Sequence, residues 1–173
     1  MNILADFKRI RLFVLDVDGV LTDGTLVVLN DGQMARTMNI KDGYALQLAI
    51  KKGYSILVIS GGTSEAVKER LHKLGIMSVH MGVTDKKGLL EKFLSENEFK
   101  NTEVLYMGDD VPDVAPMKLA GLACCPADAA TEVKNVSHYI SYLDGGKGCV
   151  REIIEKVLLL NNHWNDNTFT ASI

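Results

Sequence analysis

A doubly wound parallel α/β sheet with helices on both faces is the fold the sequence predicts, and two features of the chain predict it. Short apolar runs, RLFVLDVD, YSILVIS, SVHMG, EVLYMGDD and LACCPA, alternate with amphipathic stretches from end to end, the pattern of parallel strands joined by crossover helices. Residues 12–17 and 56–59 show no polar alternation, as strands covered on both faces require, so they belong in the middle of the sheet. The 173 residues, 47% of them apolar, suit one Rossmann-like domain, long enough to bury roughly two-thirds of its surface.

Taken in order, the first strand spans 12–17 and closes on Asp16, Val17, Asp18 and Gly19. The segment GTLVVLNDGQMARTMN, residues 24–39, then reads as two short strands around a turn at Asn30, Asp31 and Gly32, a β-hairpin inserted after strand 1. A helix over 42–51 leads into the second strand, which ends at Ser60, Gly61 and Gly62. Over 63–74, Val67, Leu71 and Leu74 share one helical face, Thr63 or Ser64 can cap the start, and Gly75 can supply the left-handed turn at the end. After SVHMG, Thr84 opens a helix that points Leu89, Leu90, Phe93 and Leu94 inward. The fourth strand ends at Gly108, Asp109 and Asp110, LACCPA is the fifth, and a last helix over 150–160 follows GGKG. Residues 1–160 thus form a single domain without repeats or linkers. Residues 161–173 are polar and aperiodic, a flexible C-terminal tail, although Trp164 is costly to leave in water and gives the tail something to dock with.

The charge balance, 19 Lys+Arg against 22 Asp+Glu for a net −3, lacks the concentrated basic patch that nucleic acid or an anionic membrane would need, so neither is an expected partner. Cys124, Cys125 and Cys149 form neither a CxxC nor a zinc spacing, and they read as reduced core thiols of a cytoplasmic protein. The longest apolar run near the N-terminus, 12–15, is too short for a signal-peptide core or a membrane span. His80, His138 and His163 have no partner at metal or triad spacing and read as structural or exposed.

The chemistry gathers at strand ends, where open α/β sheets bind their ligands. In an extended strand residues i and i+2 project to the same side, so Asp16 and Asp18 are expected to face one site, with Gly19 letting the chain turn sharply after them. Asp109 and Asp110, with Asp113 one turn on, bring more carboxylates to the same crevice. Such a group repels itself unless a cation sits within it, and an all-oxygen site for a small hard cation points to Mg²⁺. Ser60 with Gly61 and Gly62 offers a hydroxyl and backbone N–H groups to an anion, and Lys86 can add a positive charge at a phosphoryl oxygen. Lys87 stands beside it, so the choice of lysine rests on register, and Asp113 could instead cap the next helix.

Asp16 in DVDGV, Ser60 after VIS, Lys86 in TDKKG and Asp109 in GDDVPD stand in the order of the four motifs of the haloacid dehalogenase superfamily of phosphotransferases, which the chain resembles over residues 11–120. The resemblance implies that Asp16 is the nucleophile that forms an aspartyl phosphate and that Asp18 is the general acid, then base. It also implies that Ser60 and Lys86 bind the phosphate. Mg²⁺ would be held by Asp16, the backbone carbonyl of Asp18 and Asp109, with Asp110 and Asp113 supporting it from outside. The spaces between motifs hold only the hairpin and one helix, which implies a member with no cap domain.

GVLTDG, the hairpin, IKDGYALQ, VKERLHKLGI and GGKGCVRE narrow the resemblance, over residues 8–157, to the branch that hydrolyses 3-deoxy-D-manno-octulosonate 8-phosphate in lipopolysaccharide precursor synthesis. In that branch the subunits form a homotetramer in which hairpins pack together and a neighbour shields the open site. Leu26, Val27, Val28, Leu29, Met34 and Met38 fit this, being more apolar than a free surface hairpin tolerates. Arg70 resembles an arginine associated with the substrate's carboxylate end, a role suited to a guanidinium; the plain alternative is an exposed helix residue whose stem covers Val67. His72 and Lys73 are weaker candidates for the same end, and Thr22, Asp23 and Asp42 line the entrance or fix the hairpin. Lys147 lies in a late segment that by resemblance approaches an active site, a neighbour's included. Gly61 belongs to the substrate site, and Gly62 replaces a long charged residue of several relatives, leaving room that favours the eight-carbon substrate over nine-carbon, sialic-acid-like 9-phosphates. Pro112, where relatives often carry Asn, should keep the carboxylates and alter the helix start.

A reading of another class, a phospho-aspartate receiver domain, also gathers acids, Mg²⁺, a hydroxyl and a lysine. A receiver places its lysine last, whereas here Lys86 precedes Asp109. An acid two residues beyond the acceptor also favours turnover over a stored signal.

Overall fold

The computed structural model describes residues 2–164. In chain order it contains α1 (Ile3–Arg9), β1 (Leu12–Leu15), β2 (Val27–Val28), β3 (Met34–Ala35), α2 (Ile40–Lys51), β4 (Ser55–Ile59), α3 (Glu65–Lys73) and β5 (Ser78–His80). There follow α4 (Lys86–Glu96), β6 (Val104–Met107), α5 (Val114–Met117), β7 (Leu122–Cys125), α6 (Thr131–Val136), β8 (Tyr139–Ile140) and α7 (Cys149–Leu160). The main sheet runs β5-β4-β1-β6-β7-β8, and every pair is parallel. The chain winds outward from β1 in one direction and then returns to wind outward in the other. That reversal opens a crevice at the carboxyl ends of the central strands.

The uninterrupted apolar runs are explained by the two faces they serve. Phe13 and Leu15 of β1 pack in a core with Ala45 and Leu48 of α2, Leu71 of α3 and Val157 of α7. Leu12 and Val14 pack in a second core with Leu90 and Leu94 of α4, Met117 of α5 and Val133 of α6. Period-two alternation thus divides one apolar strand between two layers.

Several boundaries differ from the sequence expectation for local reasons. α2 starts at Ile40, not 42, because the Asn39 side chain accepts from Lys41 N at 2.8 Å. Ser64 caps α3 through Val67 N, and Asp85, not Thr84, caps α4 through Gly88 N at 2.9 Å. α1, α6 and β8 were not anticipated; α1 is capped by Asn2 and anchored by Phe7, which meets Tyr139 edge-on. The hairpin forms as expected, with Leu29 N donating to Gln33 O and Gly32 at φ 82°. It stands outside the main sheet, tied at its base by an isolated bridge between Thr22 and Met38.

The first residues of the expected tail are docked. Trp164 meets the Tyr44 ring edge-on and lies 5.3 Å from the Arg151 guanidinium, and His163 Nδ1 is 2.9 Å from the Tyr54 hydroxyl. Residues 165–173 of that segment lie outside the described residues. Among the described residues no helix is long and apolar enough to cross a membrane.

Candidate active site

The first strand stops earlier than expected. β1 ends at Leu15, Asp16 is extended, and Val17–Leu21 form a five-residue wide turn in which Gly19 adopts φ 81°. The turn is closed by Thr22 N donating to Val17 O at 3.0 Å and fixed by Thr22 Oγ1, which accepts from Gly19 N and Gly24 N. Asp16 and Asp18 are therefore presented by this wide turn and not, as the sequence suggested, by two steps of one extended strand. A side chain at Gly19 would collide with the Asp109 carboxylate, so glycine is required there both for its left-handed backbone and for that close approach.

Behind the turn lies the late glycine-rich stretch. Gly146 N donates to Val20 O at 3.0 Å, and a Cβ on Gly145 or Gly146 would strike the backbone of Gly19 or Thr22. Lys147 points away and pairs with Asp23 Oδ2 at 3.4 Å. Hydrogen bonds from Thr25, aided by Lys147, hold Asp23 down at about 2. Lys147 thus supports the root of the hairpin in its own chain, and it does not line the cavity described below.

Lys86 settles the register. Its Nζ lies 2.8 Å from Asp16 Oδ2 and 2.8 Å from Asp113 Oδ1, whereas Lys87 is exposed beside Glu91. Burial alone would lower the pKa of Lys86, but Asp113 and Asp16 outweigh it and raise it. Asp113 is buried and makes no helix cap. Its Oδ1 accepts from Lys86 and from the Tyr106 hydroxyl at 2.8 Å, and its Oδ2 from Asp109 N at 3.2 Å. The capping role falls to Asp110, which accepts from Val111 N at the exposed turn that carries Pro112.

Carboxylate oxygens of Asp16, Asp109 and Asp113 lie within 4.8 Å of one another, a group that leaves Asp110 outside. Burial first, and then the neighbouring carboxylates, push Asp16 and Asp109 up to about 7. Because Asp113 is satisfied by three donors, the open capacity lies on Asp16 and Asp109, and Asp109 Oδ1 is buried with no hydrogen-bond partner. An orphaned oxygen among clustered carboxylates fits a small, hard divalent cation.

Ser60 is buried at the end of β4, its Oγ accepting from Gly62 N at 3.1 Å. Gly61 is exposed beside it. A Cβ at Gly62 would fall 2.8 Å from Asp18 Oδ2 and 3.6 Å from Ser60 Oγ, which places the Asp18 carboxylate over this loop. The sequence reading missed the partner of Asp18. Arg36, from the hairpin, donates Nε to Asp18 Oδ1 at 2.6 Å and Nη2 to Oδ2 at 3.2 Å. The one signal was that Arg36 is the sole cation in residues 24–39. Tyr106 was missed because its hydroxyl sits within an apolar strand; burial and then Asp113 raise its pKa well above the usual phenol value.

A cavity of about 910 Å³ lies between the hairpin and α3, lined in part by Arg36, Met38, Thr63 and Arg70. Arg70 is half-buried on its wall, beside Gly43. His72 and Lys73 do not line it. Asp42 is no entrance residue, being buried between α2 and α7, where its Oδ1 accepts from Arg151 N at 2.7 Å. The three cysteines are buried and free; burial raises each thiol, which disfavours the thiolate a cysteine nucleophile needs.

No family model matches the chain. It is 33% identical, over 158 residues covering 91% of this chain and 84% of the relative, to the 3-deoxy-D-manno-octulosonate 8-phosphate phosphatase of Yersinia pestis. A crystal structure of the Moraxella catarrhalis 3-deoxy-D-manno-octulosonate 8-phosphate phosphatase, in complex with magnesium ion, phosphate ion and KDO, matches with TM-score 0.90 at 32% identity, covering 93% of each chain. A HAD superfamily (subfamily III A) hydrolase from Legionella pneumophila matches with TM-score 0.89 at 30% identity, covering 92% of this chain and 87% of that one.

Proposed function

The chain belongs to the 3-deoxy-D-manno-octulosonate 8-phosphate phosphatase family of the haloacid dehalogenase superfamily, and from this we propose that it hydrolyses that sugar-acid phosphate to the free sugar acid and inorganic phosphate. The observation that carries the reading is the placement of Lys86 Nζ 2.8 Å from Asp16, within the Asp16, Asp109 and Asp113 group at the carboxyl end of the sheet.

Asp16 is the nucleophile. Its carboxylate oxygen attacks phosphorus, the phosphorus–oxygen ester bond breaks, and Asp18 delivers a proton to the departing sugar oxygen. Water then attacks the aspartyl phosphate, Asp18 taking its proton, and Asp16 is regenerated as inorganic phosphate leaves. Lys86 neutralises and Ser60 helps orient the phosphoryl oxygens, while Asp113, itself fixed by the Tyr106 hydroxyl, holds the ammonium of Lys86 on target. Asp16, Asp109 and the backbone carbonyl of Asp18 would hold Mg²⁺, which when bound screens the phosphoryl charge and favours the ionised carboxylates. Arg70, on the cavity wall, suits the carboxylate end of the sugar acid.

The relatives favour the eight-carbon substrate over nine-carbon phosphates and over a receiver domain. Two further assignments belong to the same reading. Leu26, Val27, Val28, Leu29 and Met34 are exposed together on the hairpin, which supports a homotetramer whose hairpins pack against one another and shield the site. The free, buried cysteines support a reducing compartment, the cytoplasm.

The test is phosphate release with Mg²⁺ from 3-deoxy-D-manno-octulosonate 8-phosphate, a nine-carbon keto-sugar phosphate and hexose phosphates at matched concentration. The expected result is a preference of about a hundredfold or more for the first, roughly 2.7 kcal/mol in transition-state binding. Equal rates across the panel would remove the substrate assignment.

A further inference from the structure

Arg36 stands between the cavity and Asp18. Its Nε and Nη2 engage both Asp18 oxygens, its Nη1 donates to Met34 O at 3.3 Å, and its side chain is only 5% exposed although the hairpin around it faces solvent. The space it fills exists because residue 62 is glycine; a Cβ there would lie 3.1 Å from Arg36 Nη2 as well as 2.8 Å from Asp18 Oδ2. The same arginine lines the cavity that Arg70 lines from α3. An Asp18 whose two oxygens are both held by a forked guanidinium presents neither of them well to a leaving oxygen.

We propose that Arg36 is a substrate-operated latch: in the free protein it holds Asp18 as a carboxylate, and the carboxylate of a sugar-acid substrate entering the cavity draws the guanidinium over, so that the released Asp18 takes up a proton from solvent and faces the leaving group as an acid. The inference rests on the sugar-acid phosphatase reading above and adds to it the residue that senses the acid. The exchange swaps one carboxylate for another on the same guanidinium, so it is close to balanced and a modest binding energy can drive it. The carrier suits the task. The two-stranded hairpin is not part of the main sheet and is tied at its base by one isolated bridge, so a small displacement breaks no ladder of the core. A substrate lacking the acid leaves the latch closed, and discrimination then arises from access to Asp18 as well as from affinity.

The experiment compares kcat/KM for 3-deoxy-D-manno-octulosonate 8-phosphate and for glucose 6-phosphate, which carries no carboxylate, in the full-length protein and in Arg36→Ala and Arg36→Lys. The ratio of the two substrates is expected to fall about tenfold or more in Arg36→Ala, through a higher KM for the sugar acid and a higher kcat/KM for glucose 6-phosphate, for which Asp18 is then no longer held, and to recover in part in Arg36→Lys, whose ammonium attracts a carboxylate without the fork. An arginine that merely anchors the hairpin would lower both substrates together, and an unchanged ratio in Arg36→Ala overturns the latch. Should the alanine variant fail to fold, Arg36→Lys carries the test, since its ratio is expected to fall below that of the wild type and equality again overturns the latch. A wild type with no preference would overturn the functional reading and the latch with it, whereas a wild-type preference that survives intact in the variants overturns the latch alone.

Discussion

Asp109 is held in a place that suits a cation better than it suits the folded chain. Burial and the charges of Asp16 and Asp113 raise it to about 7, so the folded state opposes its ionisation up to that pH and carries the cost of the charge above it. The sign follows: a carboxylate whose folded pKa lies above its unfolded value costs stability as pH rises from the unfolded value to the folded one, here from about 4 to about 7, and the cost is complete above that. Asp109→Asn is expected to melt higher than the wild type in EDTA at pH 8, by on the order of 1–2 kcal/mol after allowing for its partial exposure. The same variant is expected to lose the upward shift that Mg²⁺ gives the wild type. Thermal melts with and without Mg²⁺ read both effects, and a variant still stabilised by Mg²⁺ would remove Asp109 from the metal site. Asp42 gives a second test at this scale, remote from the chemistry. Burial pushes it up to about 6 against the pull of Arg151, while its Oδ1 caps α7, whose own N-cap is Gly148. Asparagine keeps the acceptor and drops the charge. Asp42→Asn should therefore match the wild type near pH 4 and exceed it at pH 8 by up to about 3 kcal/mol, the difference developing between about pH 4 and 6 and holding constant above; urea titrations at the two pH values measure it. Individual acids such as Asp16, Asp18 and Asp109 were legible in the sequence because each directly follows an apolar run at a strand end. Arg36 and Tyr106 were not, since Arg36 meets a partner 18 residues away across a hairpin and Tyr106 hides within a covered strand.

At the scale of elements, local chemistry decides where each piece starts, and the inserted hairpin carries the largest consequence. Caps at Asn39, Ser64 and Asp85 set the starts of α2, α3 and α4; the choice among adjacent cap candidates, Thr84 or Asp85, could not be read without the backbone. α1, α6 and β8 escaped notice because elements of two to seven residues present too little periodicity to stand out. The hairpin was legible from its turn residues and its apolar strands. Val28 is 69% exposed on it, so Val28→Asp is expected to leave the unfolding free energy of an isolated protomer within about 0.5 kcal/mol of the wild type while breaking the proposed tetramer. Light scattering checks the mass. A variant that remains tetrameric places the subunit interface elsewhere.

Across the whole molecule, the winding order of the sheet brings distant sequence to one crevice. Asp16 after β1, Ser60 after β4, Lys86 at the start of α4 and Asp109 after β6 are separated along the chain, yet β1 lies between β4 and β6 in the sheet. The parallel, doubly wound sheet with the strands at 12–17 and 56–59 in its middle was legible from the alternation of apolar runs and helical patterns; the full strand order was not. The wide turn that presents Asp16 and Asp18 was not, because it depends on Gly19, Thr22 and the distant Gly145–Gly146 backbone packing together. The central claim is that Asp16 attacks phosphorus, and it is tested most directly by phosphate release from 3-deoxy-D-manno-octulosonate 8-phosphate with Mg²⁺ in the wild type and in Asp16→Asn, each shown to be folded by its melt. The amide keeps the shape and removes the nucleophile, so the rate is expected to fall by about ten-thousandfold or more. Turnover by Asp16→Asn within tenfold of the wild type, roughly 1.4 kcal/mol, would contradict the nucleophile assignment and the mechanism built on it.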